Sequence, residues 1–424
     1  MEFRDLLKGN ARPGTPGTVD PYLQAARISM EDPTSPWIAQ AKGFPGFRIA
    51  GNVLSSRSTI ASALGVEIEK VPLLILDAMN APMPVSDVPM PDHYKEVEPT
   101  SLPIPTYFKG DGGPYVTSGI FHASFGGVSN LSFHRMMYLG GNRFAIRVVP
   151  RHLHALHSEA RKKGVDLPVC VSMGCDPASL IAASCSVEYG LDELTIASSL
   201  HMSVTGGPLR TFRPQGDDRK APFGAEIVLC GRITQENVPE GPFVDITGTH
   251  DRSGMVGQPV FEADLCLARK DPVMHVLLPG GFEHYMLMGL PKEPSILQSV
   301  KKVVPKVRAV RLTEGGCCWL HGAVSIRKQK EGDAKNAIMA AFTGHPSMKR
   351  VIIVDEDIDI FDDRSLEWAV ATRFQAHRGL VIVERSRGST LDPSLDPDGT
   401  TSKYGMDATM PLIDNEGYRR VEDR

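Results

Sequence analysis

The chain lacks a disulfide framework. Its seven cysteines (Cys170, Cys175, Cys185, Cys230, Cys266, Cys317 and Cys318) are odd in number and lie mostly in apolar runs. That placement reads as reduced, buried thiols and predicts a cytoplasmic protein. Zinc spacing is also missing, because Cys170 and Cys175 have no second pair to complete a tetrahedron. A net charge of −4 gives no electrostatic basis for gripping nucleic acid or an acidic membrane surface. No apolar run approaches membrane-spanning length, nothing near Met1 has the order of a secretory signal, and no internal repeat is evident. What remains is an ordinary globular composition, 42% hydrophobic and 23% charged, over 424 residues. That length exceeds what one core holds, so two or three domains are expected.

Pattern changes divide the chain into three expected domains, 1–113, 114–295 and 296–424. In the first, Arg48-Ile-Ala-Gly-Asn52 reads as a strand, whereas Pro72-Leu-Leu-Ile-Leu-Asp77 fits a helix end or a buried strand equally. Proline then recurs from Ala81 to Pro105, which marks a long connection. In the second, short apolar segments at Tyr115–Phe121, Phe144–Val149, Leu167–Ser172, Ala225–Cys230 and Met274–Leu278 read as strands of a barrel-like β domain. Helices are predicted from His152 to Lys163 and after the Asp176-Pro cap. In the third, strands at Ala323–Lys328, Val351–Asp355 and Leu380–Glu384 alternate with helices at Asp333–Phe342 and Ser365–Phe374, a βαβ signature. The Ser/Asp/Pro/Gly-rich stretch from Arg385 to Lys403 reads as a loop. The expected fold class is therefore α+β and α/β, multidomain.

Glu240-Gly-Pro-Phe-Val-Asp245 carries paired carboxylates, downstream of Asn130-Leu-Ser-Phe-His-Arg135. A guanidinium beside two carboxylates can push their proton affinities apart and equip one for proton transfer; the plain alternative is a structural ion-pair network in a turn. Glu226, Asn130 and His152 form a mixed oxygen and nitrogen set suited to Mn²⁺ or Mg²⁺. Each has an ordinary explanation too: an exposed strand carboxylate, a turn asparagine, a histidine near a helix start. Lys403, in Ser402-Lys-Tyr-Gly-Met-Asp407, is either a solvated lysine or a point charge for a phosphate.

Six motifs occur in the order seen in UbiD-like decarboxylases: Asn130-Leu-Ser-Phe-His-Arg135, Pro150-Arg-His152, Ala225-Glu-Ile-Val, Glu240-Gly-Pro-Phe-Val-Asp245, Glu314-Gly-Gly-Cys317 and Ser402-Lys-Tyr-Gly-Met-Asp-Ala-Thr409. The resemblance runs from about Tyr115 to Thr409. It implies a split β-barrel between an N-terminal and a C-terminal α/β domain, holding prenylated flavin mononucleotide. Asn130, His152 and Glu226 are then expected to bind Mn²⁺ at the flavin phosphate beside a K⁺, with Lys403 reaching the same phosphate. Ser132, Phe133, His134, Arg135, Arg151 and Cys317 complete the implied cofactor contacts. Some relatives carry glutamine where Arg151 stands, and a buried inert thiol is the competing reading of Cys317. Arg135, Glu240 and Asp245 take the catalytic network: Arg135 orients the departing carboxylate and Asp245 returns a proton. Many relatives have glutamate at the last position, so the shorter Asp245 must sit nearer the substrate or act through water.

The compact chain, with Phe133-His-Arg-Met-Met137 and Val149-Pro-Arg-His152, is similar to an archaeal branch that includes the decarboxylase of trans-anhydromevalonate 5-phosphate, which yields isopentenyl phosphate. For the substrate phosphate, Arg210, Arg213, Lys220 and His284 are candidates, each equally readable as part of a solvated face. Aromatic or heteroaromatic acids are the second substrate class. An FMN-dependent reductase and a non-catalytic flavin- or metal-binding protein are the readings of another class, and neither needs the Arg135, Glu240 and Asp245 set. The implied partners are a small unsaturated acid, a flavin prenyltransferase that supplies the cofactor, and further copies of the chain in a homo-oligomer. Nucleic acid and membrane are not among them.

Overall fold

The computed structural model describes residues 2–8, 12, 14–251, 255, 257–413 and 416–421. Packing divides the chain into two compact units, Met1–Leu287 and Met288–Arg424. Two ladders cross the boundary expected at residue 113. Tyr94–Glu96 pairs with Gln258–Arg269, and Arg48–Gly51 pairs in parallel with Val273–Val276. The Met274 segment, read as a barrel strand, thus joins the sheet Thr18–Val19, Trp37–Ala41, Arg48–Gly51, Val273–Val276.

The first unit is built on a nine-stranded sheet. Its strands run Tyr115–Val116, Met136–Gly140, Arg143–Ile146, Gln258–Arg269, Ile227–Val238, Leu167–Met173, Ile120–Phe125 and Val128–Phe133, with Tyr94–Glu96 added along Gln258–Arg269. Among the described residues no ladder joins the two end strands, Tyr115–Val116 and Val128–Phe133. The first half of Ile227–Val238 is buried on both faces, as an apolar run without alternation requires. Where it bends at a bulge after Cys230, only glycine fits: a Cβ on Gly231 would lie 1.9 Å from the Glu262 carbonyl. Phe121, Phe144 and Phe261 are fully buried, with ring centroids 6.1–6.2 Å apart around Phe261. Truncating any of the three to alanine should cost about 3–5 kcal/mol.

Helices lie where capping chemistry starts them. Ser56 caps Arg57–Leu64, which Gly65 ends in a left-handed conformation. The ambiguous Pro72 run is a helix, Val71–Asn80, with proline tolerated in its first turn. Asp176 caps Pro177–Ala182 through the Ser179 N–H, and His152–Lys162 forms as its spacing predicts. The helix Glu193–Thr205 and the twelve-residue strand Gln258–Arg269 were not anticipated.

The second unit holds a five-stranded mixed sheet in the order Val307–Leu312, His321–Ile326, Arg350–Asp355, Thr400–Ala408, Leu380–Arg387. Helices Asp333–Gly344 and Asp363–Arg373 separate its parallel strands, and Ile352, Val354, Leu366 and Ala408 form its core. Lys403 lies on the strand Thr400–Ala408, where the sequence pattern suggested only a loop's edge.

Candidate active site

Arg135 leaves the strand Val128–Phe133 at the turn into Met136–Gly140. Its Nε and Nη2 grip the two oxygens of Glu240 at 2.9 and 3.0 Å, and its Nη1 donates to Asp245 Oδ2 at 3.0 Å. The three residues expected to act together therefore do meet. A third carboxylate joins them that the sequence reading missed: Arg135 Nη2 also donates to Asp251 Oδ2 at 3.2 Å. Arg147 Nε lies 3.7 Å from that same oxygen.

Local structure explains this convergence. Phe243–Val244 and His250–Asp251 form a small hairpin whose register sets Phe243 opposite Asp251. The Asp245 N–H donates to the Thr249 carbonyl and the Gly248 N–H to the Asp245 carbonyl, which closes the turn. Gly280 seats it: a Cβ there would stand 3.1 Å from the Gly248 Cα and 3.2 Å from the Asp245 carbonyl. A five-residue gap that holds a Thr-Gly-Thr turn is the sequence signal that could have added Asp251.

Glu240 is fully buried and also accepts from the Tyr115 hydroxyl at 2.8 Å. Burial and the nearby Glu240 charge hold Tyr115 above its ordinary range, so it stays a donor. The Phe243 ring lies 5.0 Å beneath the Arg135 guanidinium and 3.9 Å from the Tyr115 ring. Burial pulls the Arg135 pKa down, but Glu240, Asp245 and Asp251 outweigh it and raise the value. Glu240 side-chain exposure is 0%, against 20% for Asp245 and 16% for Asp251. Glu240 is thus the fixed anchor, and the two aspartates are the more exposed acids.

His284 accepts from the Gly280 N–H through Nδ1 at 3.1 Å. Burial lowers its pKa, Asp245 opposes that and Arg135 adds to it, which keeps the ring neutral with its proton on Nε2. The other phosphate candidates gather elsewhere. Arg213 and Lys220 both turn to Asp87, at 3.0 and 3.2 Å, and Arg210 stacks 4.0 Å over Phe223. Although burial works against it, the contacts of Asp87 with Thr211, Arg213 and Lys220 hold its pKa at about 2.

The metal set requires a correction. Glu226 does not join Asn130 and His152. It is fully buried, and both of its oxygens bind Arg4, at 2.7 and 2.8 Å. Arg269 at 3.5 Å and the Val273 N–H at 3.1 Å complete its shell. A carboxylate enclosed by two guanidiniums already has its counter-charge. The acid that sits with Asn130 and His152 is Glu193, the first residue of the helix Glu193–Thr205. Its Oε1 accepts from Asn130 Nδ2 at 2.9 Å and lies 3.5 Å from His152 Nδ1, while Oε2 accepts from the Leu131 N–H at 2.7 Å.

One carboxylate, one imidazole and one amide oxygen suit a hard divalent cation. The neighbouring hydrogen bonds favour that use. Burial pushes His134 down to about 4, so the ring is neutral. Its Nδ1 faces the Arg147 carbonyl at 3.0 Å and must carry the proton. Nε2 is then an acceptor for the Ser132 hydroxyl, 3.0 Å away. The same hydroxyl can donate its one hydrogen to Asn130 Oδ1, 2.8 Å from Ser132 Oγ, and turning it to His134 instead leaves the amide oxygen to a cation. Among the described residues no group of three or more His, Cys, Asp or Glu could hold a metal, and here the third donor is an amide.

The remaining expected cofactor contacts are dispersed. Phe133 is half-buried, and Arg151 is exposed at the N-cap of the His152–Lys162 helix. In the second unit Cys317 is half-buried, and both it and Cys318 have positive φ, 59° and 47°. Lys403 is buried there, with Nζ donating to the Pro346 carbonyl, and burial lowers its pKa. The Pro346 carbonyl takes only one of the ammonium's three N–H donors.

Comparison with known proteins follows this geometry. Residues 80–282 match the 3-octaprenyl-4-hydroxybenzoate carboxy-lyase Rift-related domain, and residues 285–408 match the C-terminal domain of the same family. The anhydromevalonate phosphate decarboxylase of Methanothermobacter thermautotrophicus is 43% identical over 410 residues, which cover 95% of each chain. That of Methanosarcina mazei is 43% identical over 95% of this chain and 94% of its own. In structure the chain is similar to the UbiD-class enzyme HmfF of Pelotomaculum thermopropionicum in complex with FMN, with a TM-score of 0.93, 35% identity, and coverage of 100% of this chain and 97% of the other. An evolved dimeric form of HmfF in complex with prenylated FMN gives a TM-score of 0.89 at 32% identity, with the same coverage. The chain belongs to the UbiD family of carboxy-lyases, and its activity is decarboxylation.

Proposed function

We propose that this chain is a prenylated-FMN-dependent decarboxylase of an α,β-unsaturated acid, with trans-anhydromevalonate 5-phosphate as substrate and isopentenyl phosphate as product. The observation that carries the reading is 43% identity, over 95% of both chains, to an anhydromevalonate phosphate decarboxylase. The same reading takes the nine-stranded sheet of the first unit as the split β-barrel of the family. It assigns Mn²⁺ to Asn130, His152 and Glu193, with K⁺ beside it, and a homo-oligomer as the working form.

Loss of CO₂ breaks a carbon–carbon bond and leaves its electron pair on an sp² carbon. The bound cofactor supplies the electron sink for that pair. The protein's part is to hold the acid, exclude water and return one proton to the carbon that lost CO₂. Arg135, pinned by Glu240 and Tyr115, is the cation that orients the substrate carboxylate. Asp245 is the proton donor, with Oδ2 on Arg135 and Oδ1 accepting from the Ile246 N–H at 2.7 Å. The Asp245 turn is short and firmly seated on Gly280, which offsets the missing methylene by fixing the donor's position. His284 offers a neutral N–H donor beside it.

Protein coexpressed with a flavin prenyltransferase should show the prenylated-flavin spectrum and release CO₂ from anhydromevalonate phosphate faster than from cinnamate-like, furan or pyrrole acids. A preference for the aromatic acids would reassign the substrate. NAD(P)H oxidation without CO₂ release would favour the reductase and remove the assignment.

A further inference from the structure

Two cysteines that the decarboxylation does not call on meet in the sheet of the first unit. Cys170, on Leu167–Met173, stands directly opposite Cys230 on Ile227–Val238, and on its other side opposite His122 on Ile120–Phe125. Side chains alternate along a strand, so this row of three shares one face of the sheet. Val171, Leu229 and Cys266 enter the apolar core on the other face. Opposed residues of an antiparallel ladder have Cα atoms about 4.5–5.5 Å apart, within the span that a disulfide bridges. The two sulfurs lie 2.7 Å apart, so closing them to the bonded length of about 2.05 Å needs less than roughly 1 Å of movement. Both are free thiols, and both are buried.

A surface loop covers the row. Arg219 Nη1 donates to the Gly231 carbonyl at 2.8 Å, and the Lys220 N–H donates to His122 Nδ1 at 3.0 Å, so the loop is fastened beside both ends of it. Arg219 is buried, whereas residues 215–218 are exposed. A loop tied down by a few polar contacts belongs to the part of a fold that opens without global unfolding. We propose that Cys170 and Cys230 are a reversible oxidation site, closed to a cross-strand disulfide by a low-molecular-weight disulfide when this loop lifts. One cysteine thiolate attacks the small disulfide, forms a mixed disulfide and releases one thiolate. The other cysteine thiolate then attacks the protein sulfur of that mixed disulfide, forms the Cys170–Cys230 bond and expels the second thiolate. The two cysteine protons end on the two released thiols; the pair loses two electrons and the small disulfide gains them. With the loop in place, burial holds the Cys170 pKa well above that of a free thiol, which keeps the pair unreactive.

The test treats the full-length, flavin-loaded protein with oxidised glutathione and then with dithiothreitol. Non-reducing peptide mapping of the parent should give Cys170 to Cys230 as the principal intramolecular crosslink, absent before oxidation and absent again after reduction. Cys170→Ala and Cys230→Ala should each lose that crosslink, and if either variant fails to fold, the map of the parent decides by itself. Arg219→Ala should form the crosslink roughly tenfold faster, because a charged hydrogen bond that holds the cover is gone. Cys170 and Cys230 still present as thiols after the other cysteines have reacted would overturn the proposal. So would glutathione retained on either of them without closure, or a crosslink from either to Cys266. An unchanged rate in Arg219→Ala would overturn the part given to the loop.

Discussion

A carboxylate's role in this protein depends on what faces it, and Glu193 and Glu226 make the contrast. Both are buried, but Glu226 faces two arginines and Glu193 faces an amide and an imidazole. Glu193→Gln should therefore lower Mn²⁺ affinity by roughly 100-fold, since losing even an outer partner costs roughly 10–100-fold. Glu226→Gln should leave it within about twofold; metal titration of the apo protein by calorimetry checks both. His134 gives a pH dependence with a definite sign. Folding holds its pKa at about 4, below the ordinary imidazole value. The unfolded chain therefore takes up this proton first as pH falls, so stability is lost from about pH 6.5 down to about 4 and no further below it. The shift corresponds to about 3 kcal/mol. Urea unfolding at pH 7 and pH 4.5 should show a smaller acid loss in His134→Gln than in the parent. Arg135, Glu240 and Asp245 could be identified in the sequence because each sits in a short charged motif. Glu193 could not, since its neighbours read as an ordinary helix start and its partner Asn130 lies 63 positions away.

At the level of elements, bounded and capped segments were legible, and an apolar run without a clean period was not. The His152–Lys162 helix and the strand Leu167–Met173 match their patterns closely, because capping and bounded apolar runs are local signals. The Val71–Asn80 helix was ambiguous because its apolar run shows no clean period. Glu226 shows why an odd residue in a strand can be noticed and still misread. It reads as an exposed strand carboxylate or a metal ligand, whereas it is buried and its answering charge comes from the helix Phe3–Leu7, 222 positions upstream. That short helix is held by the ion pair and by its apolar face, Phe3, Leu6 and Leu7. Arg4→Ala should destabilise the protein by about 2–3 kcal/mol, because Arg269 remains but half of the counter-charge is gone. Chemical denaturation would measure this. Pairing Arg4→Met with Glu226→Leu should recover most of it, since the buried carboxylate is gone and Arg269 keeps Glu2 at 3.0 Å.

For the whole molecule, two compact units with separate cores predict departure from two-state unfolding. Scanning calorimetry should resolve more than one transition, or a van't Hoff enthalpy well below the calorimetric one; a single matched transition would show that the units unfold as one. The net charge of −4 dilutes to nothing over 424 residues, yet Arg135 gathers three carboxylates in one place. Among the described residues, Arg135 already spends four of its five N–H bonds on the chain's own acids. One Nη1 N–H is left, so an incoming carboxylate can take a single hydrogen bond from this cation, and a second only if an internal acid lets go. Two bonds to one incoming carboxylate come at the expense of one of the chain's own acids, so seating a substrate there and loosening the acid network become a single event.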